Sequence, residues 1–376
     1  MCQRFRNGER TEYNSRLIMR LTKNVREKLA WVAGGRPAQE LHEVRGYSAK
    51  PQAVFGCFLL ALLMWGTNCF AWNATGHMSI ALLAWQKMDA PTRQRVSEIL
   101  KHHPHYKIYL SADVPEGVSV DEWAFLQAAS WPDWVRGAFP GEPHKPQSVT
   151  QYSRPPWHYI DGNYVVPGDE GKVKLPPEPS TMPTVQPTNA VQAMDHAIAV
   201  IADPTSNDVD KAVMLAWLEH LVGDIHQPLH ASSEYSTRFP DGDKGGNAQG
   251  ILVDGKVMNL HAYWDDLLGT DAHYPTLAKV AAEVNADPAA QVSQLPELQE
   301  NRTPDAWAKE SFALAIKYAY LDGKLQTAVY HRGGMDESTV PTLPDGYAKA
   351  AHDLALKRAA LASDRLSELL AELVKQ

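Results

Sequence analysis

The chain has 376 residues, 44% of them hydrophobic and 21% charged, with a formal net charge of −8. That balance excludes a disordered chain and leaves ample apolar material for a large core. No repeat period is visible, which excludes solenoids and propellers, and the acidic balance argues against a broad basic groove for nucleic acid.

The three cysteines, Cys2, Cys57 and Cys69, stand near the front of the chain, beside the apolar run Ala53–Trp65. Lys50 precedes the run and Cys69-Phe70-Ala71 follows it. A positive flank, a short apolar stretch and a small-x-small exit describe a secretory signal peptide over residues 50–71, cut after Ala71. A retained anchor is the alternative, and the stretch is short for a membrane span. Residues 1–49 show no helix or strand period and read as a start assigned too far upstream, or as a long leader. Removal of residues 1–71 takes away 11 Lys/Arg and 5 Asp/Glu, leaving 25 and 39, a net charge of −14, and no cysteine. The product would be secreted or periplasmic, free of the membrane, and any metal site in it must use His, Asp, Glu or backbone groups.

In the remaining chain the pattern is helical. Ile80–Trp85 and Pro91–His102 read as amphipathic helices, the second starting at Ala90-Pro91. Leu126–Val135 follows, then Pro-rich loops over Phe139–Pro156 and Val166–Pro187. Asn189–Ala202 and Val209–Ile225 read as strong helices, the latter ending at Gln227-Pro228, where proline lacks the needed N–H. Arg238–Gly250 reads as a turn-rich loop. Leu260–Leu268, Asp305–Leu321 and Gly346–Leu373 complete roughly eight helices. No alternation of strand and helix supports a parallel sheet, so the expected architecture over residues 72–376 is one mainly α domain.

Fourteen of the 15 histidines fall after Ala71. In His220-Leu-Val-Gly-Asp224 and again in His261-Ala-Tyr-Trp-Asp265, an imidazole and a carboxylate lie four residues apart and share a helix face. His230 follows the Pro228 break. Metal ligation and ordinary buried or surface histidines both remain open for each pair taken alone. Ser130-Trp-Pro-Asp-Trp-Val-Arg136 sets Asp133 and Arg136 beside tryptophans, and Trp157-His-Tyr-Ile-Asp161 does the same for a His and an Asp. Each of these alone reads more readily as a structural tryptophan corner. After cleavage, Trp72-Asn-Ala-Thr-Gly-His77 would present a free amino group, whose lone pair can bind zinc where an amide nitrogen cannot.

Together, in order and spacing from Trp72 to the helix around Arg365-Leu366, these motifs resemble the secreted, three-zinc, single-strand-specific nucleases of fungi, plants and bacteria, relatives of the zinc phospholipases C. The resemblance implies a helical bundle of that type and three Zn²⁺. It implies a first zinc on Asp133, His158, His220 and Asp224, and a second on His230, His261 and Asp265. A third would take the Trp72 amino nitrogen and carbonyl oxygen, His77 and Asp224. Three zinc ions less three ligand carboxylates leave about +3, which answers the charge problem. The implied reaction is phosphodiester hydrolysis of single-stranded DNA and RNA to 5′-phosphates, with 3′-mononucleotides as further substrates. Arg136 would neutralise the phosphoryl oxygens and Asp133 orient the attacking water. Tyr159 and Asp161 would stack and read a base, beside backbone from Gly245, Gly246 and Asn247. The expected form is a monomer.

Other residues are set aside. His226 is expected at solvent or behind the ligands, His102, His103 and His105 in a surface turn, and Asp195-His196 on a helix surface. Asn73-Ala-Thr75 and Asn301-Arg-Thr303 fit the glycosylation pattern. The competing readings are a zinc phospholipase C, which would use Glu where Asp265 stands and want an apolar rim, and a zinc-binding protein without turnover, in which Arg136 has no purpose.

Overall fold

A computed structural model describes residues 72–136, 151–332 and 335–375. The expected signal segment and its cleavage point at Ala71 lie outside the described residues, as does much of the first Pro-rich loop. Short polar side chains open most of the helices by accepting a first-turn N–H. Asn73 starts α1 (Ala74–Lys87), Asp89 starts α2 (Ala90–Leu100) and Ser119 starts α3 (Val120–Val135). Asn189 and Asn207 start α4 (Ala190–Ala202) and α5 (Asp208–His226), and Asn259 starts α6 (Leu260–Asp265). After α7 (Tyr274–Ala286), Thr303 caps α8 (Pro304–Leu314), and the long α9 (Tyr347–Leu373) ends the bundle.

The mainly α expectation agrees with this architecture, with corrections at the element ends. Ile80–Trp85 and Leu126–Val135 are parts of longer helices, while the helix at Pro91 stops at Leu100. Asp305–Leu321 is not one helix: it gives way at Ala315 to a π turn over Ala315–Ala319. Leu260–Leu268 divides into α6 and a 3-10 turn. Three features were not expected, among them a short parallel strand pair where no parallel sheet was foreseen. One is α7, whose inward face is Leu277, Val280, Ala281 and Val284. Another is a hairpin of β3 (Gln249–Val253) and β4 (Lys256–Asn259), so the loop from Arg238 ends at Gln249. It turns on Asp254 and Gly255 at φ 48° and 74°, the left-handed pair that a tight hairpin turn requires. A parallel pair, β1 (Gly162–Val165) with β2 (Ser232–Tyr235), lies elsewhere in the fold, and β5 (Ala328–Val329) edges β3. No described helix is long and apolar enough to cross a membrane.

Helix α5 is buried on every side from Leu215 to His226, including the polar Glu219, His220, Asp224 and His226. It packs against α4, α3, α9 and α2. Its last turn is tied down by buried charge. Arg358 and Arg365 of α9 both pair with Glu310 of α8, at 2.7 and 2.6 Å. Arg365 Nη1 donates to His226 Nε2 at 2.7 Å, Arg358 Nε donates to the His226 carbonyl at 3.1 Å, and Ser311 Oγ donates to the Ile225 carbonyl. His226 is therefore wholly buried inside this network, not at solvent.

Candidate metal centre

Helix α5 carries His220 and Asp224 one turn apart, both fully buried. Between them, Gly223 admits α1 to close range, since a Cβ there would stand 2.6 Å from His77 Nδ1. His77 Nε2 thereby reaches 3.2 Å from Asp224 Oδ1, and its ring stacks on His220 at 4.0 Å. A 3-10 turn over Pro155–His158 brings in His158, whose Nδ1 stands 3.2 Å from Asp224 Oδ2 and 2.9 Å from His220 Nε2. Asp133, in the last turn of α3, places Oδ1 3.7 Å from His158 Nδ1 and 3.9 Å from His220 Nε2.

Beyond Gln227-Pro228, a 3-10 turn over Pro228–Ala231 swings His230 toward His261 of α6, and their Nε2 atoms lie 3.1 Å apart. Asp265, one turn after His261, stands 3.6 Å from it and accepts on its other oxygen from Gln227 Nε2 at 2.8 Å.

The tautomers follow from the partners. His230 Nδ1 lies 2.6 Å from the His158 carbonyl, His261 Nδ1 2.6 Å from the Gly245 carbonyl, and His220 Nδ1 2.8 Å from the Ala129 carbonyl. A carbonyl only accepts, so each Nδ1 carries the proton and each Nε2 presents a bare lone pair. Two lone pairs 3.1 Å apart repel unless a cation lies between them. At the neighbouring histidines burial disfavours protonation, pushing His77 and His158 well below the usual imidazole range and lowering His220 as well. Burial likewise pushes Asp224 well above the carboxylate range and Asp133 up to about 6. Asp224 Oδ1 and His77 Nε2 have no hydrogen-bond partner, although they are close to each other. Among the described residues, three groups of side chains could each hold a metal ion: His77, His220 and Asp224; Asp133, His158 and His220; His230, His261 and Asp265. Nitrogen and oxygen donors without thiolate suit zinc and its divalent neighbours.

The sequence profile of the S1/P1 nucleases matches residues 72–375, the stretch that holds all three groups. The chain belongs to the S1/P1 nuclease family. Among its relatives, Endonuclease 3 of Arabidopsis thaliana is 31% identical over 125 residues, 31% of this chain and 40% of that protein. Endonuclease 4 of the same plant is 34% identical over 116 residues, 28% and 36% of the two chains. Nuclease S1 of Aspergillus oryzae is 23% identical over 204 residues, 54% and 56% of the two chains. The matched stretches thus span less than two thirds of each relative's length.

In this S1/P1-family chain the other expected site residues are placed as follows. Arg136, at the end of α3, points Nη1 to within 3.4 Å of Asp133 Oδ1. Tyr159 and Asp161 follow His158 and are half-buried; desolvation, with the nearby charge of Asp243, pushes Asp161 up to about 6. Gly245 touches the site through its carbonyl, and the Asn247 side chain donates to the Lys244 carbonyl. Trp72 is fully buried, its side chain against Gly76. Gln227 and Asp243 were not foreseen, since neither spacing nor residue type marks them out.

Several residues set aside on sequence are corrected. His103 and His105 are buried, and Trp131 Nε1 donates to His105 Nδ1 at 2.9 Å; only His102 is exposed. Asp195 is buried, not on a helix surface. The amides of both glycosylation-pattern asparagines are engaged: Asn73 Nδ2 donates to Asp266 and to the Gly269 carbonyl, and Asn301 Nδ2 to Glu310.

Glu219, beside His220 on α5, is buried with no partner for either carboxyl oxygen. Burial pushes its pKa well above the carboxylate range. Such a group binds more protons folded than unfolded, so its stability is whole below the unfolded pKa and is lost as pH rises toward the folded one. Glu219→Gln should therefore match the parent at about pH 4 and exceed it increasingly toward about pH 8. The gain is bounded by about 1.4 kcal/mol per pH unit, and thermal melts at the two pH values measure it.

Proposed function

We propose that the chain is a zinc-dependent endonuclease for single-stranded DNA and RNA, with residues 72–376 as its catalytic domain, exported and released by cleavage after Ala71. The observation that carries this is the facing of bare imidazole lone pairs and desolvated carboxylates at one buried place, in a chain of this family. Asp133, His158, His220 and Asp224 would hold a first ion; His230, His261 and Asp265 a second; and the Trp72 amino nitrogen and carbonyl oxygen, His77 and Asp224 a third. Bound zinc supplies Lewis acidity toward a phosphodiester and lowers the pKa of water toward neutrality.

The protein's own groups do the rest. Arg136 neutralises charge that develops on the phosphoryl oxygens, and its contact with Asp133 fixes where the guanidinium points. Asp133 accepts a hydrogen bond from the attacking water and so aims it. Tyr159 offers a ring face on which any base can stack, and the Asp161 carboxylate accepts from a base edge. Gly245, Gly246 and Asn247 bring backbone close to that base. A base must leave its stack to reach them, which is cheap in a single strand and costly in a duplex. The products carry 5′-phosphates, and 3′-mononucleotides fit the same pocket.

Tyr159→Ala tests the reading. Removing one stacking face forfeits about 1–3 kcal/mol, so KM for heat-denatured DNA should rise at least about fivefold while the zinc content stays unchanged. Loss of zinc in that variant, or parent protein that hydrolyses phosphatidylcholine in place of DNA, would overturn it.

A further inference from the structure

The loop after β2 is built around one acid that the proposed chemistry does not use. Asp243 is completely buried. Its Oδ1 accepts from the Glu234 N–H at 2.7 Å, from Tyr320 Oη at 3.3 Å and from Ser233 Oγ at 3.4 Å. Its Oδ2 accepts from the Gly246 N–H at 2.8 Å and from Gln249 Nε2 at 2.9 Å. Each of these contacts places a donor on the acid, so a carboxylate satisfies all of them, whereas an asparagine would turn its own NH₂ onto donors at one end.

Between its anchors the chain runs through Lys244, Gly245 and Gly246 at φ 57°, 62° and 83°. Three left-handed residues in a row do not persist unaided, and for the lysine the conformation costs about 1–2 kcal/mol. Asp243 supplies the restraint, joining the loop to β2 on one side and closing it onto Gly246 on the other. The loop lies tight against the turn that carries His230: a Cβ on Gly245 would stand 2.4 Å from the Leu229 carbonyl. From that position the Gly245 carbonyl takes the Nδ1–H of His261 at 2.6 Å.

We propose that Asp243 is a positioning residue, holding the loop so that Gly245 fixes the ring and tautomer of His261 and thereby sets the affinity of the His230–His261–Asp265 site alone. This rests on the metal-binding part of the function proposed above. The other two groups take their orientation from elsewhere, His220 from the Ala129 carbonyl and His77 from its packing on Gly223.

The test is Asp243→Asn in a chain beginning at Trp72, titrated with zinc by calorimetry and assayed for bound metal after dialysis against graded chelator. Loss of an outer partner of a ligand weakens metal affinity about 10–100-fold, so two ions should stay as tight as in the parent and one should loosen by that factor. Cleavage lost at low zinc should return at high zinc, which a misfolded protein would not show. Three ions held with parental affinity, or all three loosened alike, would overturn the assignment. If Asp243→Asn does not fold, Gln249→Met removes one donor from the carboxylate at similar volume. The same single ion should then loosen, and unchanged affinity overturns the proposal. The metal readout needs no substrate, so a parent that binds three ions without cutting single-stranded DNA defeats the nuclease reading and leaves this one intact.

Discussion

Asp224→Ala should lower phosphodiester cleavage by at least about a thousandfold, because under the proposed assignment it is a ligand shared by two ions, and its loss exceeds that of a single stabilising donor. Its two oxygens serve different partners, Oδ1 facing His77 and Oδ2 facing His158 and His220. Truncation leaves both histidine sets short of a ligand while His230, His261 and Asp265 are untouched. The tightly held metal should fall from three ions to one, as read by elemental analysis after dialysis. Stability should move in opposite senses with and without metal. Burial disfavours the Asp224 carboxylate, so the metal-free variant should melt no lower than the metal-free parent, while zinc should raise its melting temperature far less. A variant that keeps three ions would show that Asp224 is not the bridging ligand.

The second large effect concerns the residue ahead of Trp72. In the proposed function the third ion takes His77 and Asp224 together with the Trp72 amino nitrogen and carbonyl oxygen. Only a free amine offers a nitrogen lone pair, since that of an amide is delocalised. The Trp72 backbone is well placed to be held still: its indole is buried against Gly76, and the next residue, Asn73, is fastened to Asp266 and the Gly269 carbonyl. Protein that retains Ala71 should therefore bind two ions tightly instead of three and cleave about 10²–10³-fold more slowly than protein beginning at Trp72. A full complement of three ions in the extended protein would refute the role of the amine.

How much of this could be read in advance depended on whether a residue's role is set locally. The pairs His220–Asp224 and His261–Asp265 were visible because four residues make one helical turn. The helices at Asn189 and Val209 were visible because they are rich in Ala, Val, Leu and Ile. The Asp254-Gly255 hairpin carries a local signal too, an Asp-Gly pair between short apolar runs. The burial of His103, His105, Asp195 and His226 had none, since it depends on what distant segments pack around them. For His226 such a segment brings Arg365, and for His105 it brings Trp131. Gln227 and Asp243 stayed hidden for the same reason, their work being to hold another residue in place.

The network of Arg358, Arg365 and Glu310 extends the site's dependence beyond the residues that line it. Helix α9 contributes no metal-type ligand, yet its two guanidiniums grip the turn where α5 ends, which lies between Asp224 and His230. Helix α9 thus acts as a latch on the hinge joining two halves of the centre. A chain cut short before α9 lacks that latch, so the turn between Asp224 and His230 would lose its hold on both sides.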